Sequence, residues 1–296
     1  MRVRHYYTFL ILIIIIIFQA CSSSSRKPEA SASTLTDTTI TVKDPHTLSN
    51  ADSILLRHLD LNLTVDFRKK QLHGSATWRI ENPHGLKELK LDTDGLIINR
   101  VTADDKRVPF TTGTTDSILG TALHIPITPE TETVTIYYAT GPGAAALKWL
   151  EPHQTADKEL PFLYTQSQSI YARSWLPCAD GPGFRYTYTA RIAAPKGFAA
   201  LMSASNPQQK NEDGVYNFKM DMPIPAYLMA LAVGDISFRA VDERTGVYAE
   251  PSMLDKAYYE LSDIGKMVET AEALYGPYRW GRYDVLVLPP SFPIGG

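Results

Sequence analysis

The sequence predicts a mainly β fold: a saddle-like or sandwich β domain, then the truncated start of an α/β unit. Three observations carry this. Apolar and polar residues alternate strictly from His58 to Phe67, the period of a half-buried strand. Short apolar runs then recur between clusters of Gly, Pro, Asp and Thr, as in assemblies of packed antiparallel sheets. Past about residue 239 the apolar spacing changes to steps of three and four, and a last apolar run follows.

The chain begins with Arg2, Arg4 and His5, an apolar run from Phe9 to Phe18, and then Gln19, Ala20 and Cys21. Residues 1–21 read as a signal peptide, and the run is too short for a comfortable membrane span. A small residue directly before Cys21 resembles a bacterial lipobox, with Phe18 where Leu is usual, so Cys21 is the expected lipidation site. That implies a lipoprotein anchored to a bacterial membrane in the cell envelope, facing the periplasm or the cell surface. The alternatives are an uncleaved anchor or ordinary secretion. Residues 22–50 are Ser/Thr-rich with little apolar periodicity and read as a disordered tether, with Asp44 to Asn50 beginning the ordered region.

Residues 51–238 are assigned to the β domain. Leu59, Leu61, Leu63, Val65 and Phe67 share one strand face, and a basic turn from Arg68 to Gln71 leads into a second alternating run through Leu72, Ala76, Trp78 and Ile80. The pair reads as an antiparallel hairpin. Further strands are expected at 89–91, 96–101, 123–127, 134–138, 186–192, 199–203, 215–222 and 227–233, with Pro223 and Pro225 forcing an edge or crossover. Residues 239–296 form the second unit. Ser252 to Asp255 looks like a capping box, apolar residues from Leu254 to Leu274 recur at helical steps, and Gly276 and Pro277 stop the helix. Val285 to Leu288 then form a buried strand.

A net charge of -3, with no basic run interleaved with aromatics, argues against a nucleic-acid partner. With Cys21 lipidated, Cys178 has no intrachain partner. Its apolar setting, Trp-Leu-Pro-Cys, suits a small buried hydrophobe. All seven histidines precede it, no two stand four apart, and no His-Glu-x-x-His occurs.

Two blocks of the sequence resemble one family. Tyr164 to Asp180 contains Gln166-Ser-Gln168-Ser and Arg173-Ser-Trp-Leu-Pro-Cys-Ala-Asp180, and the chain closes on Leu288-Pro-Pro-Ser-Phe-Pro-Ile-Gly295-Gly296. These are similar to the Gln-x-Gln-Ala, Arg-x-x-x-Pro-Cys-x-Asp and Gly-Gly-Met-Glu-Asn motifs of zinc aminopeptidases of the aminopeptidase N and leukotriene hydrolase type, with Gly-Gly favouring the leukotriene hydrolase branch. Segments from about residue 45 onward follow the family's order.

The resemblance implies a β-saddle domain against a thermolysin-like zinc domain, with the substrate cleft between them. Gln168 is then the amide that helps hold the amino-terminal residue of a peptide substrate, and Gly295 and Gly296 line the cleft with backbone. Peptides with a free amino terminus are the implied partners. Zinc is the implied cofactor of the complete protein, its ligands expected beyond residue 296, so the 296 residues alone are expected to bind no zinc and to be inactive. Arg173 and Asp180 are expected to form a structural ion pair. The alternative function is a non-catalytic, lipid-anchored β domain that binds peptide or glycan.

Overall fold

The structure is a computed structural model that describes residues 44–293. The expectations for the signal peptide, Cys21, the tether as far as residue 43, Ile294, Gly295 and Gly296 lie outside the described residues. Among the described residues, no helix is long and apolar enough to cross a membrane.

The expected hairpin opens the fold. Strand β1 (Leu55–Asp66) pairs antiparallel with β2 (Gln71–Glu81), Leu61 opposite Ala76. Leu59, Leu61, Leu63 and Val65 of β1 are buried, as are Leu72, Ala76, Trp78 and Ile80 of β2, so the alternation places one face of the pair inward. Next come β3 (Glu88–Thr93), β4 (Ile97–Ala103), β5 (Lys106–Val108), β6 (Thr111–Thr112), β7 (Thr121–Pro126) and β8 (Thr133–Ala139). After them come β9 (Leu147–Leu150), β10 (Phe162–Thr165), β11 (Arg185–Ala193), β12 (Ala199–Met202), β13 (Val215–Pro225) and β14 (Leu231–Gly234).

A seven-stranded sheet in the order β13-β11-β1-β2-β8-β4-β5 forms the main layer. Its β1–β11 ladder is parallel while its other ladders are antiparallel. Smaller sheets, β12-β14-β10-β9 and β3-β7-β6, complete the β region. The Pro223 and Pro225 strand lies at the sheet edge, where a missing N–H leaves no ladder bond unmade.

Strand β15 (Ser237–Ala240) spans the expected boundary at residue 239 and joins β16 (Thr245–Ala249) and β17 (Tyr283–Leu286) in one sheet. Between β16 and β17 run α1 (Leu254–Glu260) and α2 (Ile264–Tyr275), and the two strands are parallel. This strand–helix–strand arrangement is the α/β opening that the change of period predicted.

Three local expectations are corrected. The tether bound at residue 50 is too late, and the ordered region begins, as the turn residues suggested, within 44–50: Thr47 and Ser49 are buried, and the Leu48 N–H donates to Asp92 Oδ1 at 2.6 Å. The single expected helix is two helices, because the Leu261–Asp263 step breaks the ladder between α1 and α2. Ser252 caps nothing with its side chain; a 3-10 turn at Pro251–Met253 precedes α1, and the Ser252 N–H points to Asp157 instead.

Candidate functional site

Strand β10 carries the chain to Gln168. The Gln166 N–H donates to Ala146 O at 2.8 Å, and the Tyr171 N–H closes the following turn on Ser167 O at 2.9 Å. Ser167 between them is buried, its Oγ accepting from Trp175 Nε1 at 3.1 Å and donating to Met229 O at 3.4 Å. With Ser167 pinned inward, Gln166 and Gln168 are left exposed on either side. The Gln168–Ser169 peptide bond is cis. An exposed neutral amide presents both donors and an acceptor, and so can meet an ammonium group and a carbonyl without adding charge.

Residues 172–181 behind this turn are all buried and act as a plug. Trp78 Nε1 donates to Pro177 O and the Tyr138 hydroxyl to Trp175 O, both at 2.9 Å, so two side chains of the main sheet hold it. Arg173 is the plug's charged centre. Its Nε lies 3.2 Å from Asp180 Oδ2, and its two terminal nitrogens donate to Leu119 O and His46 O at 2.6 Å. Asp92, fully buried, stands 3.8 Å from the same guanidinium and accepts from Thr47 Oγ1, Leu48 N–H and Asp180 N–H.

The structure thus forms the expected Arg173–Asp180 pair and adds Asp92, which sequence reading missed. An Asp ending an apolar strand gives no sign of a buried partner more than eighty residues away. Burial raises the Asp180 carboxyl, opposed by hydrogen bonds and charge from Arg173. Burial, and then the Asp180 and Asp92 carboxylates, push the Cys178 thiol well above its ordinary value, which makes it a poor nucleophile.

The segment after β17 packs on β10, the strand that leads to Gln168. The Phe292 ring packs edge-on to Tyr164 of β10, centroids 5.5 Å apart at 65°. Ser291 Oγ donates to Gln154 O at 2.8 Å. Leu286, Leu288 and Phe292 join a cluster with Phe162, Tyr164, Leu201, Ala232 and Tyr248. A pocket of about 330 Å³ lies there, with Tyr164, Thr165, Leu231 and Leu288 among its walls. The segment leading toward Gly295 therefore packs on the strand that continues to Gln168, more than a hundred residues earlier in the chain.

Histidines do not gather. His58 sits between Thr187 Oγ1 at 2.6 Å and Asp60 Oδ1 at 3.2 Å, and His124 lies 3.3 Å from Glu88. Among the described residues, no three His, Cys, Asp or Glu side chains group as metal ligands. These residues do not fit a zinc ion.

The sequence profile of the Peptidase M1 N-terminal domain matches residues 56–228, from β1 through the Gln168 turn to the end of β13 and just beyond. The chain belongs to this M1 family. It is 38% identical over 265 residues to leukotriene A-4 hydrolase of Xenopus laevis, covering 86% of this chain and 43% of that protein. Leucine aminopeptidase 2 of Pyricularia oryzae is 37% identical over 266 residues, with the same two coverages, 86% and 43%. The solved structure of native yeast LTA4 hydrolase superposes with a TM-score of 0.81 at 34% identity, over 95% of this chain and 42% of that one. The M1 chain described here therefore spans less than half the length of these curated relatives.

Proposed function

We propose that this chain is the amino-terminal part of a zinc-dependent aminopeptidase, and that its β domain helps to hold the free amino end of a peptide substrate. Gln168 is the side chain assigned to that work. Gly295 and Gly296 would present bare backbone beside it, since glycine lets another chain approach closely. The zinc ligands and the water-activating base belong to sequence beyond these 296 residues, which alone bind no zinc and cleave nothing.

The observation that carries this reading is the packing of Phe292 on Tyr164, which brings the segment toward the glycine pair onto the strand that delivers Gln168. An exposed amide and an approaching backbone segment can together grip one end of an extended peptide. The test uses the protein with its reading frame continued through the zinc site. Gln168→Ala lowers kcat/KM for peptide substrates roughly tenfold, the loss expected for a hydrogen bond to a charged group. Unchanged kinetics would remove Gln168 from the site.

Lipid anchoring through Cys21 is part of the same proposal and places the enzyme at a bacterial membrane. Cys21→Ala then moves the protein from the membrane to the soluble fraction, and a variant that stays membrane-bound and uncleaved would contradict it.

A further inference from the structure

We propose that Glu250 and Ser291 are positioning residues that fix where the segment leading toward the glycine pair lies on β10, the strand that continues to Gln168; their bearing on substrate rests on the reading above. After the Val287 N–H donates to Tyr248 O at 2.8 Å, the chain leaves the β16–β17 ladder. Pro289 and Pro290 then follow, and neither has an N–H to offer. The Phe292 N–H turns back onto Pro289 O within the segment itself. The Ser291 hydroxyl and the Phe292 ring are the contacts described above that tie this stretch to the β domain.

The carbonyl that receives Ser291 belongs to a loop that is itself clamped. Glu250 directly follows β16 and is only 4% exposed. Its carboxylate accepts the Ala156 N–H at 2.9 and 3.1 Å and the Asp157 N–H at 3.4 Å. Asp157 replies by accepting the Ser252 N–H at 3.3 Å. Within the loop, Gln154 Oε1 accepts the Glu151 N–H at 3.0 Å, and buried Thr155 donates to Pro152 O at 2.8 Å.

Burying a carboxylate is unfavourable unless donors replace its water, and here converging backbone N–H groups do so. The result is a relay from Glu250 through the 154–157 loop to Ser291 and on to Phe292. A displacement of the segment by about 1 Å would be felt at the substrate, because catalysis depends steeply on placement.

Amide hydrogen exchange on the 296-residue chain tests the relay without reference to activity. Ser291 is exposed, so Ser291→Ala leaves the fold intact and speeds exchange of the Phe292 N–H, which is bonded to Pro289 O, roughly fivefold, as loss of one hydrogen bond predicts. Ser291→Thr, which keeps the hydroxyl, restores the slow rate. Glu250→Gln gives the same acceleration and extends it to Ala156 and Asp157, with β9 and β10 unchanged. Unaltered exchange at Phe292 in both the alanine and the glutamine variant would overturn the relay, as would uniform acceleration across the chain in Glu250→Gln.

In the protein continued through the zinc site, Ser291→Ala lowers kcat/KM about fivefold at an unchanged Tm, and Ser291→Thr recovers it. Kinetics sensitive to Gln168→Ala but indifferent to Ser291→Ala would refute the positioning role alone. Indifference to Gln168→Ala would refute the substrate-binding reading, while the exchange data still decide the relay.

Discussion

Phe292 and Tyr164 meet edge to face, 128 positions apart in the chain, with ring centroids 5.5 Å apart. Through this contact the segment toward the glycines is seated on β10, two residues before Gln166 and four before Gln168. A double-mutant cycle with Tyr164→Leu and Phe292→Leu in urea unfolding returns a coupling of about 1 kcal/mol. Strict additivity would mean that the rings touch without holding the segment.

Arg173 faces two buried carboxylates, Asp180 at 3.2 Å and Asp92 at 3.8 Å, so its removal leaves them without a counter-charge inside the plug. Arg173→Met lowers unfolding free energy by about 3–5 kcal/mol. Arg173→Lys is intermediate, since an ammonium keeps the charge but loses the fork that reaches Leu119 and His46. A loss under about 1 kcal/mol for Arg173→Met would show that the cluster contributes little.

Helix α2 is fastened to the turn before β16 by Arg244, whose two terminal nitrogens donate to Glu272 at 2.7 and 3.0 Å. That pairing, followed by the Tyr278 N–H, lowers the Glu272 carboxyl from 4.5 to about 2. A lowered carboxyl adds stability that is complete above its ordinary value and is lost as pH falls through about 2. Wild-type stability therefore drops more steeply than that of Glu272→Gln between pH 4.5 and about 2. Parallel curves for the two proteins would contradict this.

Cys178 is buried and its thiol is hard to ionise. Iodoacetamide leaves the peptide containing Cys178 unmodified in the native chain and labels it in denaturant, read by mass spectrometry. Rapid native labelling would place the thiol outside the plug.

Alternating strands were legible in the sequence because one face is wet and the other dry; β1 and β2 show it residue by residue. Strands β9 and β10 were not, and neither was β16. They are four or five residues long, and β16 is buried throughout, so neither length nor period marks them. The helix break at Leu261 leaves no mark in the sequence because the apolar spacing continues across it.

Gln168 was visible only through its motif, since an exposed amide after a short strand has no physical signature of its own. Asp92, Glu250 and Ser291 were invisible for a different reason. Each matters through a partner far away in sequence, and only the fold brings those partners within reach.

If this M1 chain is the substrate-gripping front of a zinc aminopeptidase, as proposed, the nucleotide sequence downstream of Gly296 is an open frame that encodes Met-Glu-Asn at once and His-Glu-x-x-His soon after. A stop codon immediately following Gly296 in the intact gene would contradict it.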